Sequence, residues 1–410
     1  MSPFLQLIFA LAIILIAAKS AGYLAIRLGQ PSVLGELLVG LLLGPTVLNI
    51  LHWPVFTDHS LEEMIRHLAE IGVLLLMFVA GLELHFNELV HNSKVSAYAG
   101  ILGVLLPVGL GYLVATAFAH PPQEALFIGL VLGATSVSIS AQTLMELKVL
   151  RSRVGLGLLG AAVFDDVLVI LLLSGFLALV SGEGGIATIG LLFVRMLIFL
   201  ALSLLFGMKV LPYIVRRVAH LPISQSVLTL ALVVMFVFGL AAELIGSMAA
   251  ITGTFLAGLM FARSPEKERL ERGVSALAYA FFVPIFFVSI GLGVNGREIN
   301  ATVIWLFLAI TVVAILGKWI GAGLGARMAR YSWRESLQLG AGMISRGEVG
   351  LIIAAVGVEA GMLDGNELSA IVGMILVTTL ITPPLLRALF SSRPARKLAV
   401  ESAILDEERS

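Results

Sequence analysis

Apolar runs of roughly twenty residues recur along almost the whole chain, divided by short polar or proline-marked breaks. About twenty helical residues span the hydrocarbon core of a bilayer. Such runs fall at 4–27, 32–50, 66–84, 95–118, 123–145, 153–180, 187–211, 224–243, 246–262, 275–292, 301–327, 334–358 and 367–390. The pattern predicts an all-α polytopic membrane protein with about 13 transmembrane helices. The runs at 32–50 and 246–262 are the shortest. Pro31, Pro54, Pro122, Pro222 and Pro265 mark loops between runs, where proline commonly interrupts helical patterns.

Composition agrees. Charged residues are 13% and hydrophobic ones 59% of 410 positions, whereas a soluble domain has roughly 25% charged residues. Lys plus Arg balances Asp plus Glu at 26 each, so net charge points to no nucleic-acid partner; the lipid bilayer is the expected surrounding. With no cysteine, disulfides, thiolate metal sites and thiol catalysis are excluded. The first run contains Lys19 and lacks a basic leader and a small-residue cleavage site, so it is expected to be a retained span. When alternate loops are assigned to two sides, nearly all Lys and Arg collect on one, leaving Arg66 and Arg297 on the other. The positive-inside rule makes the rich side cytoplasmic. The N-terminus is then outside and the C-terminus inside, with 391–410 as a short cytoplasmic tail.

The two halves resemble one another. Gly81-Leu82-Glu83-Leu84 with Glu88 matches Gly291-Leu292-Gly293-Val294 with Glu298, and Gly35 and Gly40-Leu41 match Gly253 and Gly258-Leu259. These matches lay spans 1–6 over spans 8–13. The shift is an odd number of spans, so matched spans cross in opposite directions. Such an inverted repeat is a plan common among secondary transporters. The same alignment lays the polar stretch 133–140 of span 5 over 342–350 of span 12. Paired interruptions of this kind point to a transporter's binding site, because unwound backbone is tolerated at depth only where it is buried or lines a cavity.

Span 6 holds two adjacent carboxylates, Asp165 and Asp166. A charge at a helix centre costs roughly 2.5–3.5 kcal/mol on insertion scales. Neighbouring helical residues point about 100° apart, so the two carboxylates face different surroundings. One can look into a water-filled path while the other meets a partner in the bundle. Lys318 lies midway along span 11 and requires a carboxylate partner; Asp165 is the leading candidate. Arg346 and Glu348 lie in the break of span 12, where they can pair with each other or neutralise broken helix ends. Glu36, Glu70 and Glu83 are read as structural or interfacial. Lys19, Arg195 and Glu243 sit near span ends and receive no role. The seven histidines do not cluster with ligand spacing, so no transition-metal site is proposed. No phosphate loop, Ser-His-Asp arrangement or dinucleotide fingerprint occurs, so neither enzyme activity nor a cofactor is expected.

Taken together, Pro31-Ser32-Val33-Leu34-Gly35-Glu36, Ala69-Glu70-Ile71-Gly72-Val73, Gly81-Leu82-Glu83-Leu84, Ala134-Thr135-Ser136-Val137, Phe164-Asp165-Asp166, Lys318 and 345–351 resemble the Kef/NapA-type branch of the second monovalent cation:proton antiporter family. The resemblance covers about residues 4–390. It implies a homodimer, each protomer with a dimer domain (4–84 and 224–292), a mobile core (95–180 and 301–390) and a linker span (187–211). It also implies that Asp166 binds the cation or protons, that Asp165 pairs with Lys318, and that Thr135 and Ser136 supply polar groups at the unwound crossing. Kef-type potassium members usually have Gln-Asp where this chain has Asp-Asp, which places it on the sodium side. They often carry a cytoplasmic nucleotide-binding domain, which is not expected here. The expected function is electrogenic exchange of sodium, or lithium, for protons across the bacterial inner membrane. Potassium/proton exchange is the alternative within the class. An ion channel or an ion sensor is the alternative outside it, and saturable flux driven by an opposing gradient distinguishes a carrier from a channel.

Overall fold

A computed structural model of the chain describes residues 1–58, 60–82, 92–181, 186–293 and 303–390. The described residues are almost entirely helical. In chain order the helices are α1 Pro3–Arg27, α2 Ser32–Leu43, α3 Leu61–Leu82, α4 Ser93–Ala117, α5 Pro122–Gly133, α6 Val137–Glu146, α7 Arg153–Ser181, α8 Ile186–Leu205 and α9 Leu211–Ala219. They continue with α10 Ser226–Leu244, α11 Ala250–Phe261, α12 Lys267–Leu277, α13 Val283–Leu292, α14 Ile304–Met328, α15 Trp333–Gly342, α16 Glu348–Glu359 and α17 Gly365–Phe390. Among the described residues ten helices are long and apolar enough to cross a membrane, counting α5–α6, α8–α9 and α12–α13 each as one, and Ser32–Leu43, Ala250–Phe261 and Val349–Val358 are shorter apolar helices. Glu83, the repeat segments 83–91 and 294–302, and the tail 391–410 lie outside the described residues. So does the side chain of Glu348, although its backbone begins α16.

Two boundaries differ from the sequence reading. The run at 32–50 becomes the short α2, a turn after Gly44 and a 3-10 turn at Ile50–His52. The expected loop at 263–274 is largely helix: α12 continues through a π-helical turn, Ala278–Phe282, into α13. Its many charges concealed an amphipathic pattern. Leu270 and Val274 are buried one turn apart while charged neighbours face outward, and that four-residue spacing forms an apolar stripe.

A first apolar cluster runs through α1–α3 and α10–α13 and reaches into α6 and α7. A second lies among α4, α5, α7, α14, α16 and α17. Helix α4 packs along α14 and against α5 and α7. Helix α3 packs on α11, and there glycine is required. A Cβ on Gly258 would strike the Phe78 carbonyl, and one on Gly81 would strike that of Phe255. Small residues let membrane helices approach this closely. The contact brings α11 into place beside α7.

Candidate functional site

Two interrupted helices meet inside the bundle. Helix α5 ends at Gly133 and α6 begins at Val137; α15 ends at Gly342 and α16 begins at Glu348. The breaks satisfy each other's backbone. Ser136 N–H donates to the Ser345 carbonyl at 2.9 Å, and Ser345 Oγ donates to the Ser136 carbonyl at 2.6 Å. Ser140 Oγ donates to the Gly342 carbonyl at 2.5 Å. Unwound backbone away from water needs such partners, since an unsatisfied buried polar group costs several kcal/mol in lipid. The small hydroxyl side chains of Ser140 and Ser345 supply them without bulk.

Arg346 occupies the junction and is fully buried. Its guanidinium donates to the carbonyls of Leu132 (2.7 Å), Ala314 (3.0 Å) and Ile344 (2.7 Å). Leu132 lies in the last turn of α5, where carbonyls lack helical partners and a positive charge is favourable. The guanidinium thus sits against a carbonyl at the broken end of α5; pairing with Glu348, whose side chain lies outside the described residues, is not addressed by these contacts. Arg346→Met, which keeps the length but removes the donors, should leave the carbonyls of Leu132 and Ile344 at the two breaks without this partner, while Ala314, inside α14, keeps its helical one. At roughly 1–3 kcal/mol per unsatisfied group, a loss on the order of 3 kcal/mol is expected. Thermal unfolding in detergent reads it, and a parent-like midpoint would show that the donors are dispensable.

Beside the crossing, α7 carries the adjacent carboxylates to two different neighbours. Lys318 Nζ on α14 donates to Asp165 Oδ1 at 2.6 Å, and both side chains are wholly buried. Thr135, in the first break, sits beside Asp165, and Arg346 is close enough to act on the same carboxyl. Asp166 faces the other way. Thr252 Oγ1 on α11 donates to Asp166 Oδ2 at 3.0 Å. Asp166 also lines a small cavity of about 10 Å³ between α7, α6, α3 and α11, with Met77, Val137, Leu159, Ile251 and Phe255 among its apolar walls. That is about the room one water needs. The 100° step between helical neighbours thus separates a paired carboxylate from one at a cavity.

The structure therefore brings Asp165, Asp166, Thr135, Ser136, Lys318 and Arg346 into one region. It also shows contacts that the sequence reading left unassigned. Thr252 is the foremost. Lys19 lies 3.8 Å from the buried Glu36 and donates to the Tyr279 carbonyl, tying α1 to α2. Arg195 donates to the carbonyls of Leu244 and Ile245 at the end of α10. His120 Nδ1 lies 2.7 Å from Glu367 and 3.7 Å from Glu124. Only the Glu124 neighbour could be found from sequence spacing, one helical turn away.

Ten apolar helices among the described residues, around a buried polar crossing, make this a multi-pass membrane protein. Its sequence matches the family described as "Sodium/hydrogen exchanger, transmembrane" over residues 11–391. It is 41% identical to the Na(+)/H(+)-K(+) antiporter GerN of Bacillus cereus, covering 95% of this chain and 97% of that one. It is 35% identical to a Na(+)/H(+) antiporter of Enterococcus hirae, covering 93% and 98%. Among solved structures, the sodium proton antiporter MjNhaP1 of Methanocaldococcus jannaschii aligns with TM-score 0.65 at 18% identity, covering 94% of this chain and 98% of that one; this likeness concerns the fold alone. The chain belongs to the sodium/hydrogen exchanger family, the wider cation:proton antiporter group that its motifs resemble.

Proposed function

We propose that the chain is a secondary active transporter that exchanges sodium, or lithium, for protons across a bacterial inner membrane, electrogenically and by elevator-type alternating access. The observation that carries this reading is the division between adjacent carboxylates: Asp165 is engaged by Lys318, and Asp166 stands at a cavity. A carboxylate at a cavity can hold a proton or a metal cation, but its single charge does not hold both. Exchange is then obligatory without further machinery. In this reading Asp166 is the exchanging group. Asp165, Thr135 and Ser136 complete the polar surroundings, while Lys318, Arg346 and Glu348 compensate charge. Transported cations and protons are substrates, and no cofactor takes part. The names of the relatives support the reading, since the Enterococcus protein is called a Na(+)/H(+) antiporter and GerN a Na(+)/H(+)-K(+) antiporter. Potassium is the second reading, because the name of GerN includes K(+) as well. Proteoliposome exchange with sodium, lithium and potassium, with and without a clamped potential, tests it. Proton flux driven by potassium alone would overturn the sodium assignment, and flux that neither saturates nor needs an opposing gradient would make the protein a channel.

The finer architecture belongs to the same proposal. Counting α2, α11 and the α15–α16 pair as crossings gives thirteen spans, with the N-terminus outside and the C-terminus cytoplasmic. The two interrupted helices are then equivalent members of an inverted repeat. The dimer domain comprises 4–84 and 224–292, the core 95–180 and 301–390, and the linker span 187–211. The homodimer rests on the family resemblance. Between the two bundles, Glu146 at the end of α6 accepts bonds from Ser32 N–H and Ser32 Oγ, both at 2.6 Å. This contact must part if the core slides. Cysteines replacing Ser32 and Glu146, joined by a short thiol cross-linker, should reduce exchange to the level of protein-free vesicles. The absence of native cysteine makes that experiment clean, and full activity with a verified cross-link would exclude sliding at this boundary.

A further inference from the structure

We infer that Thr252 is an oxygen ligand for the transported cation, supplied from the static side of the site and present on only one side of the transport cycle. The inference rests on the sodium/proton reading above. Thr252 stands in the first turn of α11 and is 3% exposed. Its hydroxyl donates to Asp166 Oδ2 across the boundary between the two bundles. Among the described residues lining the cavity at Asp166, only Asp166 and Thr252 carry polar side chains.

A cation that enters this cavity gives up water and needs oxygen atoms in return, because a desolvated charge without partners is very costly. The cavity walls offer the Asp166 carboxylate and, 3.0 Å from it, the Thr252 hydroxyl. A hydroxyl has one proton and two lone pairs and rotates freely. While Asp166 is unoccupied and charged, the proton points at the carboxylate. When a cation sits on Asp166, the proton turns away and a lone pair faces the cation. One side chain thereby stabilises the empty site and coordinates the filled one. The apolar neighbours Ile251 and Phe255 cannot substitute for it.

The location of Thr252 adds a consequence. Helix α11 packs on α3 and α10, within the bundle assigned to the dimer domain, whereas Asp166 rides on α7 in the core. Thr252 can reach the cation only while the core holds Asp166 against α11. After the core has moved, the site lacks this ligand. Cation affinity should therefore differ between the two membrane faces, and Thr252 should account for part of the difference.

Thr252→Val keeps the shape and removes the hydroxyl, while Thr252→Ser keeps the hydroxyl. Sodium-driven proton flux is measured in right-side-out and everted vesicles from cells without antiporters of their own, so that each face is titrated with sodium separately. One ligand of this strength corresponds to about a three- to tenfold change in affinity. Thr252→Val is expected to raise the apparent KM for sodium by that factor on one face and leave the other face unchanged. Thr252→Ser should behave as the parent. An unchanged KM on both faces, an equal shift on both, a decrease, or failure of serine to restore the parent value would each overturn the inference. If the valine variant is not monodisperse in detergent, Thr252→Ala carries the same comparison. If the parent itself exchanges no sodium, the sodium reading fails first, and a result of that kind is distinct from any Thr252 effect.

Discussion

Asp166→Asn should insert and fold as the parent does, yet exchange no more sodium for protons than protein-free vesicles. The substitution replaces one oxygen by an amide of nearly equal size. The Thr252 hydroxyl that now donates to Asp166 Oδ2 can donate equally to the asparagine carbonyl oxygen. Lys318, whose ammonium bonds Asp165, keeps its counter-charge in the variant. Stability should therefore move little. Function should not survive, because an amide neither releases a proton nor carries the charge that attracts a cation. The two expectations together separate a transport role from a structural one. Asp165→Asn is the control: it leaves Lys318 without its counter-charge and should lower stability as well. Sodium-driven proton flux in Asp166→Asn proteoliposomes at the parent rate would place the exchanging group elsewhere.

Much of this site could be read from the chain because lipid makes polar residues conspicuous. In a soluble protein, Asp165, Asp166, Lys318 and Arg346 would be four charges among many. Within apolar runs each needs a partner, and few partners exist. The breaks were visible for a similar reason. Gly, Ser and Thr at 133–140 and 342–350 interrupt the apolar pattern, and the structure joins these stretches through Ser136, Ser140, Gly342 and Ser345.

Thr252 was hidden because threonine is common in membrane helices and its hydroxyl can bond its own backbone, as Thr254 does to the Ile251 carbonyl. Only the approach of α11 to α7 distinguishes the two threonines. Arg346 was noticed, but its carbonyl partners at Leu132 and Ala314 depend on where α5 and α14 lie, which no local pattern encodes. His120 and Glu367 are far apart in sequence and meet only because α5 and α17 begin at the same end of the bundle. The start of α12 is hard to read for the opposite reason: a dense run of charges suggests a loop and masks the buried Leu270 and Val274.

Lys318→Gln should make the protein less stable and make any remaining exchange electroneutral. The pair of Lys318 and Asp165 is fully buried, with Nζ 2.6 Å from Oδ1. Removing one member of a buried pair costs roughly 3–5 kcal/mol, because the remaining charge has no compensation. Glutamine keeps a donor near Asp165 and places the expected loss at the lower end of that range. The transport consequence follows from proton counting. A cation arriving at Asp166 sits one residue from Asp165 and draws on its charge. As Asp165 turns toward the cation, the Lys318 ammonium loses its counter-charge in a desolvated setting, which favours the neutral amine. On the proposed reading, one proton would then leave Asp166 and one Lys318 for each sodium bound, and the exchange would move net charge. Without Lys318 only the Asp166 proton remains, so one proton exchanges for one sodium. The measurement is sodium/proton flux in proteoliposomes with the potential set by valinomycin and potassium. The parent should speed up or slow down with the sign of the potential, and Lys318→Gln should be indifferent to it. A variant that responds to potential as the parent does would reduce Lys318 to a structural charge and assign electrogenicity to another group.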